Sequence, residues 1–478
     1  MSLPVDKALR KAQSHIKVGE LAEAEELYKQ ILSKFPKNKK AIQAYQKLKT
    51  GITSKGPLNS ETPQEQIDEL TRLYDQGQFD EILSKAKPLS GLFPKDELLF
   101  SIMGAANAAL FRYDAAVECY KESIKIKPNY TDAYYNMGKA LQDQGDVDAA
   151  LEIYDKAIKI NPNYADAYNN IGTIFYKKDE FDQAISYISS ALKINPNDAD
   201  AYTNMGNALR DKGDLDAAID SYKQAIKIKP DYAEAYWNQS LAFLFKGDFK
   251  NGWTQYDWRW KTSSFNSVLL LSRKPRWIPN KTGRILVWSE QGIGDVLMFS
   301  STLNELHRKS EQLIVQIDER LIPLFSRSFP ENIIYHPKNA KVPEADYDTQ
   351  IPFGSLPSHF RPNIESFKQT SGTYLKADKD YSAALRENLR ADGCNYIVGL
   401  TWRGGSKKNN VLTNKSIDLV EVARVLNIKG VKLVSLQYGD TDDECKKLKL
   451  DYGINIHNVS AVDNFNDLDG LAALVEAC

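Results

Sequence analysis

Five prolines recur at a constant spacing in the first half of the chain. Pro94, Pro128, Pro162, Pro196 and Pro230 are each separated by 34 residues. The same step relates small and aromatic residues: Gly104, Gly138, Gly172 and Gly206; Ala116, Ala150, Ala184 and Ala218; and Tyr120, Tyr154 and Tyr222, with Ile188 in place of one tyrosine. A fixed period of this length is typical of stacked supersecondary units, so the sequence predicts an array of repeats.

Each repeat has the pattern of a helical hairpin. In the repeat that ends at Pro162, AYYNMGKALQDQ and DAALEIYDKAIKI both have helical apolar spacing, and Gly145 marks a turn between them. Proline then ends the second helix. We expect Gly138 and Ala150 to let the paired helices approach closely, and Tyr154 to fill the space between neighbouring hairpins.

The repeats resemble the tetratricopeptide repeat, most closely over residues 94–260. Upstream, residues 1–50 predict a degenerate helical hairpin, and residues 51–63, rich in Gly, Ser, Thr and Pro, predict a linker. The array with its capping helix is predicted to cover residues 64–262. The resemblance implies an α-helical solenoid whose first helices line a concave surface that binds a protein or peptide.

Asparagine recurs on the first helix of each hairpin with the same 34-residue step, at Asn136, Asn170, Asn204 and Asn238. Because an amide both donates and accepts hydrogen bonds, such a column suits the backbone of an extended peptide. The alternative is that the amides hydrogen-bond within the array. The architecture also resembles protein O-GlcNAc transferases, in which a similar asparagine ladder holds the acceptor polypeptide. That resemblance implies the same role for these four asparagines.

The array ends in GDFKNGWTQYDWRW, where large apolar side chains lie along one helical face. Such a face needs to be covered, so the segment predicts a capping helix packed on the next domain rather than a ligand-stacking site. This ending resembles the junction in bacterial proteins that fuse tetratricopeptide repeats to a glycosyltransferase domain. The resemblance implies that a glycosyltransferase domain of GT-B type follows.

Beyond the junction, strands alternate with helices. RILVW predicts a strand, SEQGIGD a glycine-containing loop, and the next residues a helix; further strands are predicted near residues 313–318, 331–336 and 347–353. The economical fold is a parallel sheet with covering helices. The predicted architecture is thus multidomain, an α-helical solenoid followed by an α/β Rossmann-like region. In the resembling GT-B families, residues 263–390 correspond to the first of two Rossmann-like halves.

The GIGD loop allows two interpretations. Gly292 and Gly294 let a ligand approach the backbone at the carboxyl edge of the sheet. A dinucleotide site of GxGxxG type would use Asp318 on the ribose, but Leu297 stands where the third glycine belongs. In heptosyltransferase-like and O-GlcNAc-transferase-like families, which this chain resembles, a comparable loop carries a Gly-Asp pair. The resemblance implies a nucleotide-sugar co-substrate and no bound cofactor.

An inverting transferase must take a proton from the acceptor hydroxyl, and a carboxylate can accept it. In the resembling heptosyltransferase-like enzymes the loop aspartate is the proposed base, which by motif is Asp295 here, and Glu290 is the nearby alternative. Asp295 would otherwise only cap a helix that begins at Val296. His359, in a loop after the fourth predicted strand, is a third active-site candidate. The sequence has no metal-ligand spacing, so a metal-independent reaction is expected.

A second α/β unit is predicted over residues 391–478, beginning with the strand YIVGLTW and the loop RGGSKKNN. In the resembling transferases the corresponding loop lies on the donor side, which implies a donor-binding half here. Glycines and basic residues at a strand's carboxyl end suit a diphosphate-containing donor, and a solvated basic loop is the alternative. The candidate donor-binding residues here are Arg403, Gly404, Gly405, Lys407, Lys415 and Gln437. A Rossmann-like half has about five or six strands. Fewer are predicted here, so we expect an incomplete half, a fragment of a longer protein and little sugar transfer.

Charge and cysteine content narrow the class of protein. The 62 basic and 63 acidic side chains leave a formal charge of -1, so no global field favours nucleic acid or an anionic membrane, and any basic site is local. No apolar run reaches the ~18 residues of a membrane span. The four scattered cysteines suit a reducing cytoplasm. With the resemblance, these features predict a cytoplasmic glycosyltransferase acting on a protein or saccharide acceptor; a non-catalytic tetratricopeptide scaffold is the alternative.

Overall fold

The computed structural model describes residues 5–17, 20–36, 38–49, 62–370, 372–404 and 416–478. Gly405, Lys407 and Lys415, and the predicted linker up to residue 61, lie outside the described residues. The chain divides into two compact units, Met1–Lys178 and Asp179–Cys478. The domain boundaries predicted from the sequence stay predictions.

The first unit is helical. Its helices are α1 (Val5–Lys17), α2 (Leu21–Lys34), α3 (Lys39–Lys49), α4 (Gln64–Asp75), α5 (Phe79–Leu92), α6 (Glu97–Ala109), α7 (Tyr113–Ile126), α8 (Thr131–Gln144), α9 (Val147–Ile160) and α10 (Ala165–Lys177). Helix α6 pairs with α7, and α8 with α9, as the repeat pattern predicts. Gly145 ends α8 in the left-handed region at φ +96°. Residues before the predicted linker form three helices around Tyr28, where the sequence predicted one hairpin.

A glycine and a tyrosine pack together in each of these two pairs. A Cβ at Gly138 would lie 2.7 Å from the Tyr154 ring, and one at Gly104 would lie 2.6 Å from the Tyr120 ring. The Tyr154 ring thus packs inside its own hairpin, in the room that the missing Cβ leaves. Its hydroxyl reaches the next hairpin, where it accepts a hydrogen bond from Asn170 at 3.1 Å. That the tyrosine fills the space between neighbouring hairpins stays a prediction.

The second unit begins with the remaining repeat helices: α11 (Phe181–Ile194), α12 (Ala199–Lys212), α13 (Leu215–Ile228), α14 (Ala233–Lys246) and α15 (Phe249–Tyr256), the last followed by a 3₁₀ turn (Asp257–Lys261). The aromatic side chains of α15 pack against the α/β region, as their spacing predicts. Tyr256 belongs to the same buried core as Ile285 and Val287. The Trp253 indole N–H donates to the carbonyl oxygen of Arg361 at 2.8 Å.

Two parallel sheets follow in the same unit. The first part contains β1 (Arg284–Trp288), α16 (Ile293–Phe299), α17 (Leu303–His307), β2 (Gln312–Ile317), α18 (Ile322–Ser328), β3 (Ile334–Pro337), β4 (Thr349–Pro352), α19 (Pro357–Phe360) and α20 (Lys379–Arg390). The second contains β5 (Tyr396–Leu400), α21 (Leu419–Leu426), β6 (Val431–Ser435), α22 (Asp442–Tyr452), β7 (Ile456–His457) and α23 (Leu468–Ala477). The strand orders are β3-β2-β1-β4 and β5-β6-β7. Small parallel sheets thus follow the repeats.

The glycine at the centre of the repeat packing makes a stability prediction. Gly138→Ala places a methyl group 2.7 Å from the buried Tyr154 ring. Because the ring has to shift, we expect the free energy of unfolding to fall by about 1–3 kcal/mol. Urea denaturation followed by circular dichroism measures it.

Gly91→Ala, in α5 of the same unit, is the matched control. A Cβ at Gly91 meets no atom within 4 Å. Alanine is the better helix former, so this variant should gain up to about 1 kcal/mol. Equal effects of the two substitutions would rule out the close packing at Gly138.

Candidate functional site

The asparagine column lies on first helices, and its members differ in their partners. Its residues are half-buried on α8, α10, α12 and α14: Asn136, Asn170, Asn204 and Asn238. The Asn170 amide nitrogen donates to the hydroxyls of Tyr154 at 3.1 Å and Tyr135 at 3.4 Å. The Asn170 side chain therefore hydrogen-bonds within the array, which was the alternative to peptide binding. Within the described part of the chain, the side chains of Asn136 and Asn238 hydrogen-bond to no protein group.

The strand order of the first sheet reverses at β1, because β2 and β4 lie on opposite sides of it. The chain runs from β1 outward through β2 to β3, then crosses back to place β4 on the other side of β1. Parallel α/β sheets bind ligands in the crevice at the carboxyl ends of the strands where the order reverses. Glu290 and the GIGD loop follow β1, and residues 353–355 follow β4. The geometry thus brings two of the predicted catalytic residues, Glu290 and Asp295, to one edge.

Glu290 joins these two strand ends to the end of the repeat array. Its side chain is fully buried and forms an ion pair with Arg259 at 3.0 Å, and Arg259 is fully buried too. The same carboxylate oxygen accepts the backbone N–H of Gly354 at 2.9 Å. Glu290 is therefore a link between the array and the sheet, and its catalytic role stays a prediction.

Sequence reasoning missed Arg259 and the polar network around it. Besides Glu290, its guanidinium binds Asp257 at 2.5 Å and Ser355 at 3.0 Å, and it lies over the Tyr256 ring at 4.6 Å. Burial alone would raise the pKa of Asp257, but Arg276 and Arg259 outweigh it and hold that pKa below its usual value. An arginine inside the aromatic WRW triplet was the available signal, because a charge on a covered face needs a partner.

Asp295 lies in the first turn of α16, which begins at Ile293 and not at Val296 as predicted. Its carboxylate accepts the backbone N–H of Gly292 at 3.2 Å. Gly292 and Gly294 are exposed, and a Cβ at Gly294 would meet no atom within 4 Å. Asp295 therefore stabilises the start of the helix beside open space, and a role as base stays a prediction.

His359 is half-buried on α19, with its ring edge-on to Trp277 at 5.3 Å between centroids. Burial and the neighbouring Arg276 lower the pKa of His359. The imidazole is therefore neutral over a wider pH range than that of an exposed histidine. The role of His359 in catalysis stays a prediction.

The predicted donor residues of the second sheet contact one another. Gln437 is buried after β6, and its side-chain oxygen accepts the backbone N–H groups of Trp402 at 3.0 Å and Arg403 at 2.9 Å. Arg403 forms an ion pair with Glu444 at 3.1 Å. Gln437 thus holds the loop after β5, which continues into Gly404 before the described residues break off. Donor binding by these residues stays a prediction.

The predicted catalytic residue Asp295 and the predicted donor-binding residue Arg403, both among the described residues, do not contact each other through polar groups. In the described ranges, no hydrogen bond or ion pair joins Asp295 to Arg403. Nor does any group of three His, Cys, Asp or Glu side chains come together there in a way that could hold a metal ion. Among the helices of the described residues, none is long and apolar enough to cross a membrane.

Family models identify the repeats. The model described as TPR repeat matches residues 112–145, 138–179 and 206–247, and two models described as tetratricopeptide repeat match residues 165–198 and 187–220. The chain therefore contains tetratricopeptide repeats, as their resemblance to this repeat predicted.

Individual proteins are similar over part of the chain. Protein FlbA of Caulobacter vibrioides is 28% identical over 244 residues, which are 47% of this chain and 40% of FlbA. A MamA crystal structure is 29% identical and covers 33% of this chain and 91% of MamA, with a TM-score of 0.31. YrrB, described as a TPR protein with an unusual peptide-binding site, is 19% identical over 36% of this chain and 89% of its own, with a TM-score of 0.31. None of these similarities bears on glycosyl transfer.

The buried ion pair makes a second stability prediction. Glu290→Ala leaves the Arg259 guanidinium buried without its carboxylate, so we expect the free energy of unfolding of the second unit to fall by about 3–5 kcal/mol. Guanidinium denaturation followed by tryptophan fluorescence measures it. The control is Asp182→Asn, which breaks an exposed ion pair with Lys212 at 2.6 Å. Water already screens that pair, so little change is expected. A loss at Glu290 no larger than at Asp182 would refute the link.

Proposed function

We propose that the tetratricopeptide array is a protein-interaction scaffold that binds an extended segment of another protein along its first helices. In each compact unit, the proposal rests on one asparagine of a first helix: Asn136 in Met1–Lys178 and Asn238 in Asp179–Cys478. Their amides are half-buried and have no protein partner within the described residues. A peptide backbone offers alternating N–H and C=O groups, which suit amides spaced along an array.

The chemistry of the column indicates what it would recognise. The repeated groups are neutral amides, with the Tyr135 hydroxyl beside Asn170. Neutral hydrogen-bonding groups contact the backbone of a peptide without selecting its charge. Binding should therefore depend weakly on salt, because few ions are released or screened when such contacts form.

Peptide binding is tested with a random-sequence peptide display library selected on the 478-residue chain. Asn136→Ala combined with Asn238→Ala should weaken the selected peptides by roughly 2–10-fold for each amide lost. Calorimetry of synthetic copies measures the affinity. The matched control is Gln224→Ala, which removes an exposed amide from the second helix of a hairpin, α13. Equal affinity of the double variant and the unchanged chain would refute the proposal, as would a loss confined to Gln224→Ala.

A second candidate function is glycosyl transfer from a nucleotide-sugar donor to a protein or saccharide acceptor, by a GT-B type domain in the cytoplasm. What favours it is the position of Asp295, whose carboxylate stands at the sheet's reversal point beside the exposed Gly292 and Gly294. That is where a carboxylate would meet an acceptor hydroxyl. The four cysteines are free, which supports a reducing compartment.

Glycosyl transfer is tested by incubating the 478-residue chain, which includes both sheets, with labelled nucleotide sugars in an assay sensitive enough for slow transfer. Asp295→Asn should lower transfer by roughly 10²–10⁴-fold, since the amide cannot take the proton. The control is Asp318→Asn, which changes a carboxylate after the neighbouring strand β2 that is held by Arg320 at 2.8 Å. Transfer unaffected by Asp295→Asn would refute its role as base, and no transfer from any donor would refute this second function.

A further inference from the structure

An apolar strap runs along the first sheet between the repeat array and β1. The strap consists of residues 267–273, and three of its aliphatic side chains face solvent: Val268 is 81% exposed, Leu269 53% and Leu271 96%. Such exposure is unusual for consecutive aliphatic residues in a soluble protein. The strap therefore presents an apolar surface that the described chain leaves uncovered.

The strap is held in place by its other residues. The Ser267 hydroxyl donates to the carbonyl oxygen of Glu290. Leu270 packs against a buried cluster that includes Leu286 of β1 and Ile314 of β2. The Tyr347 hydroxyl donates to the Ser272 hydroxyl at 2.9 Å. Anchors at both ends and in the middle fix which side chains point outward.

A cleft of about 890 Å³ lies beside the strap. Its floor is formed by Leu286 and Gln316 of the sheet, and its far wall by residues 340–345. The cleft and the exposed aliphatic side chains are continuous through Leu271, which belongs to both. Together they form one apolar surface with a recess.

The surroundings of this surface are basic, although the whole chain has a formal charge of only -1. The sequence has no Asp or Glu from Trp258 to Ser289. Arg273 is the last residue of the strap, Lys274 follows it, and Lys341 lines the cleft. None of the three forms an ion pair within the described residues.

Glu344 is the one acidic residue of the cleft lining. A hydrogen bond from the backbone N–H of Arg273 lowers the pKa of Glu344, so this carboxylate is ionised and offsets one cation. Among the residues that line the cleft, the two cations Arg273 and Lys341 therefore outnumber this one carboxylate.

We propose that the strap and cleft dock this protein on an anionic lipid surface. Val268, Leu269 and Leu271 enter the boundary between headgroups and acyl chains, and Arg273, Lys274 and Lys341 meet the lipid phosphates. Aliphatic side chains flanked by Lys and Arg are the combination that interfacial membrane binding uses. Protein interfaces depend instead on Trp, Tyr and Arg anchors, with Leu and Val under-represented. The proposal is independent of both proposed functions.

Vesicle sedimentation with the full 478-residue chain tests the proposal. Equimolar phosphatidylcholine and phosphatidylglycerol vesicles should bind the chain, and pure phosphatidylcholine should bind it much less. Leu269→Ser combined with Leu271→Ser should weaken binding by at least about ten-fold, from the lost apolar burial. Replacing Arg273, Lys274 and Lys341 by Gln should weaken it by roughly five-fold for each cation.

Leu450→Ser is the matched control, because Leu450 is 85% exposed on α22 and far along the chain from the strap. This variant should bind like the unchanged chain. The replaced leucines, Arg273 and Lys341 are exposed and Lys274 is half-buried, so thermal unfolding is measured for each variant and should match that of the unchanged chain. The proposal is overturned if anionic vesicles do not bind, if neutral vesicles bind equally, or if the strap variant and the Leu450 variant behave alike.

Discussion

Within the second unit, the ion pair of Arg259 and Glu290 joins the last turn of the repeats to the first sheet. Both side chains are fully buried. Removing two charges from water costs several kcal/mol for each ion, so the pair is tolerable only where further contacts satisfy it. Asp257, Ser355 and the backbone of Gly354 supply those contacts. These partners come from the last turn of the array and from the end of β4, and they hold the pair where β1 ends. Within the described residues, Arg259 Nε and Glu290 Oε2 keep no hydrogen-bond partner, so the pair is only partly satisfied.

Both candidate sites of the second unit depend on this junction. Helices α14 and α15 contribute Trp237 and Trp253 to the core that also contains the sheet. Asn238 lies on α14, and Glu290 and Asp295 both follow β1. The last repeat helices and the first sheet therefore share one hydrophobic core.

The repeated helical hairpins and the alternating strands and helices were predictable from the sequence. The 34-residue step identified the hairpins, because equivalent positions of the repeats make the same packing contacts and therefore carry similar residues. The strands were placed within a few residues of their observed bounds. Partners distant along the chain were not predictable: Arg259 meets Ser355 across 96 residues, and Gln437 meets Trp402 across 35. The tertiary fold brings such residues together, so contacts between them cannot be predicted from the local periodicity of the sequence. Asn170 was ambiguous for the same reason, since an amide suits a tyrosine hydroxyl as well as a peptide.

Hydrogen exchange followed by mass spectrometry, on the unchanged chain and on Arg259→Ala, tests the junction most directly. If Arg259 joins the array to the sheet, amides of residues 289–295 and 353–356 should exchange faster in the variant, together with those of α15. Helices α12 and α13 should keep their protection, since within the described residues Arg259 has no hydrogen-bond or ion-pair partner on them. Faster exchange confined to α15 and its following turn, or no change at either strand end, would contradict the account.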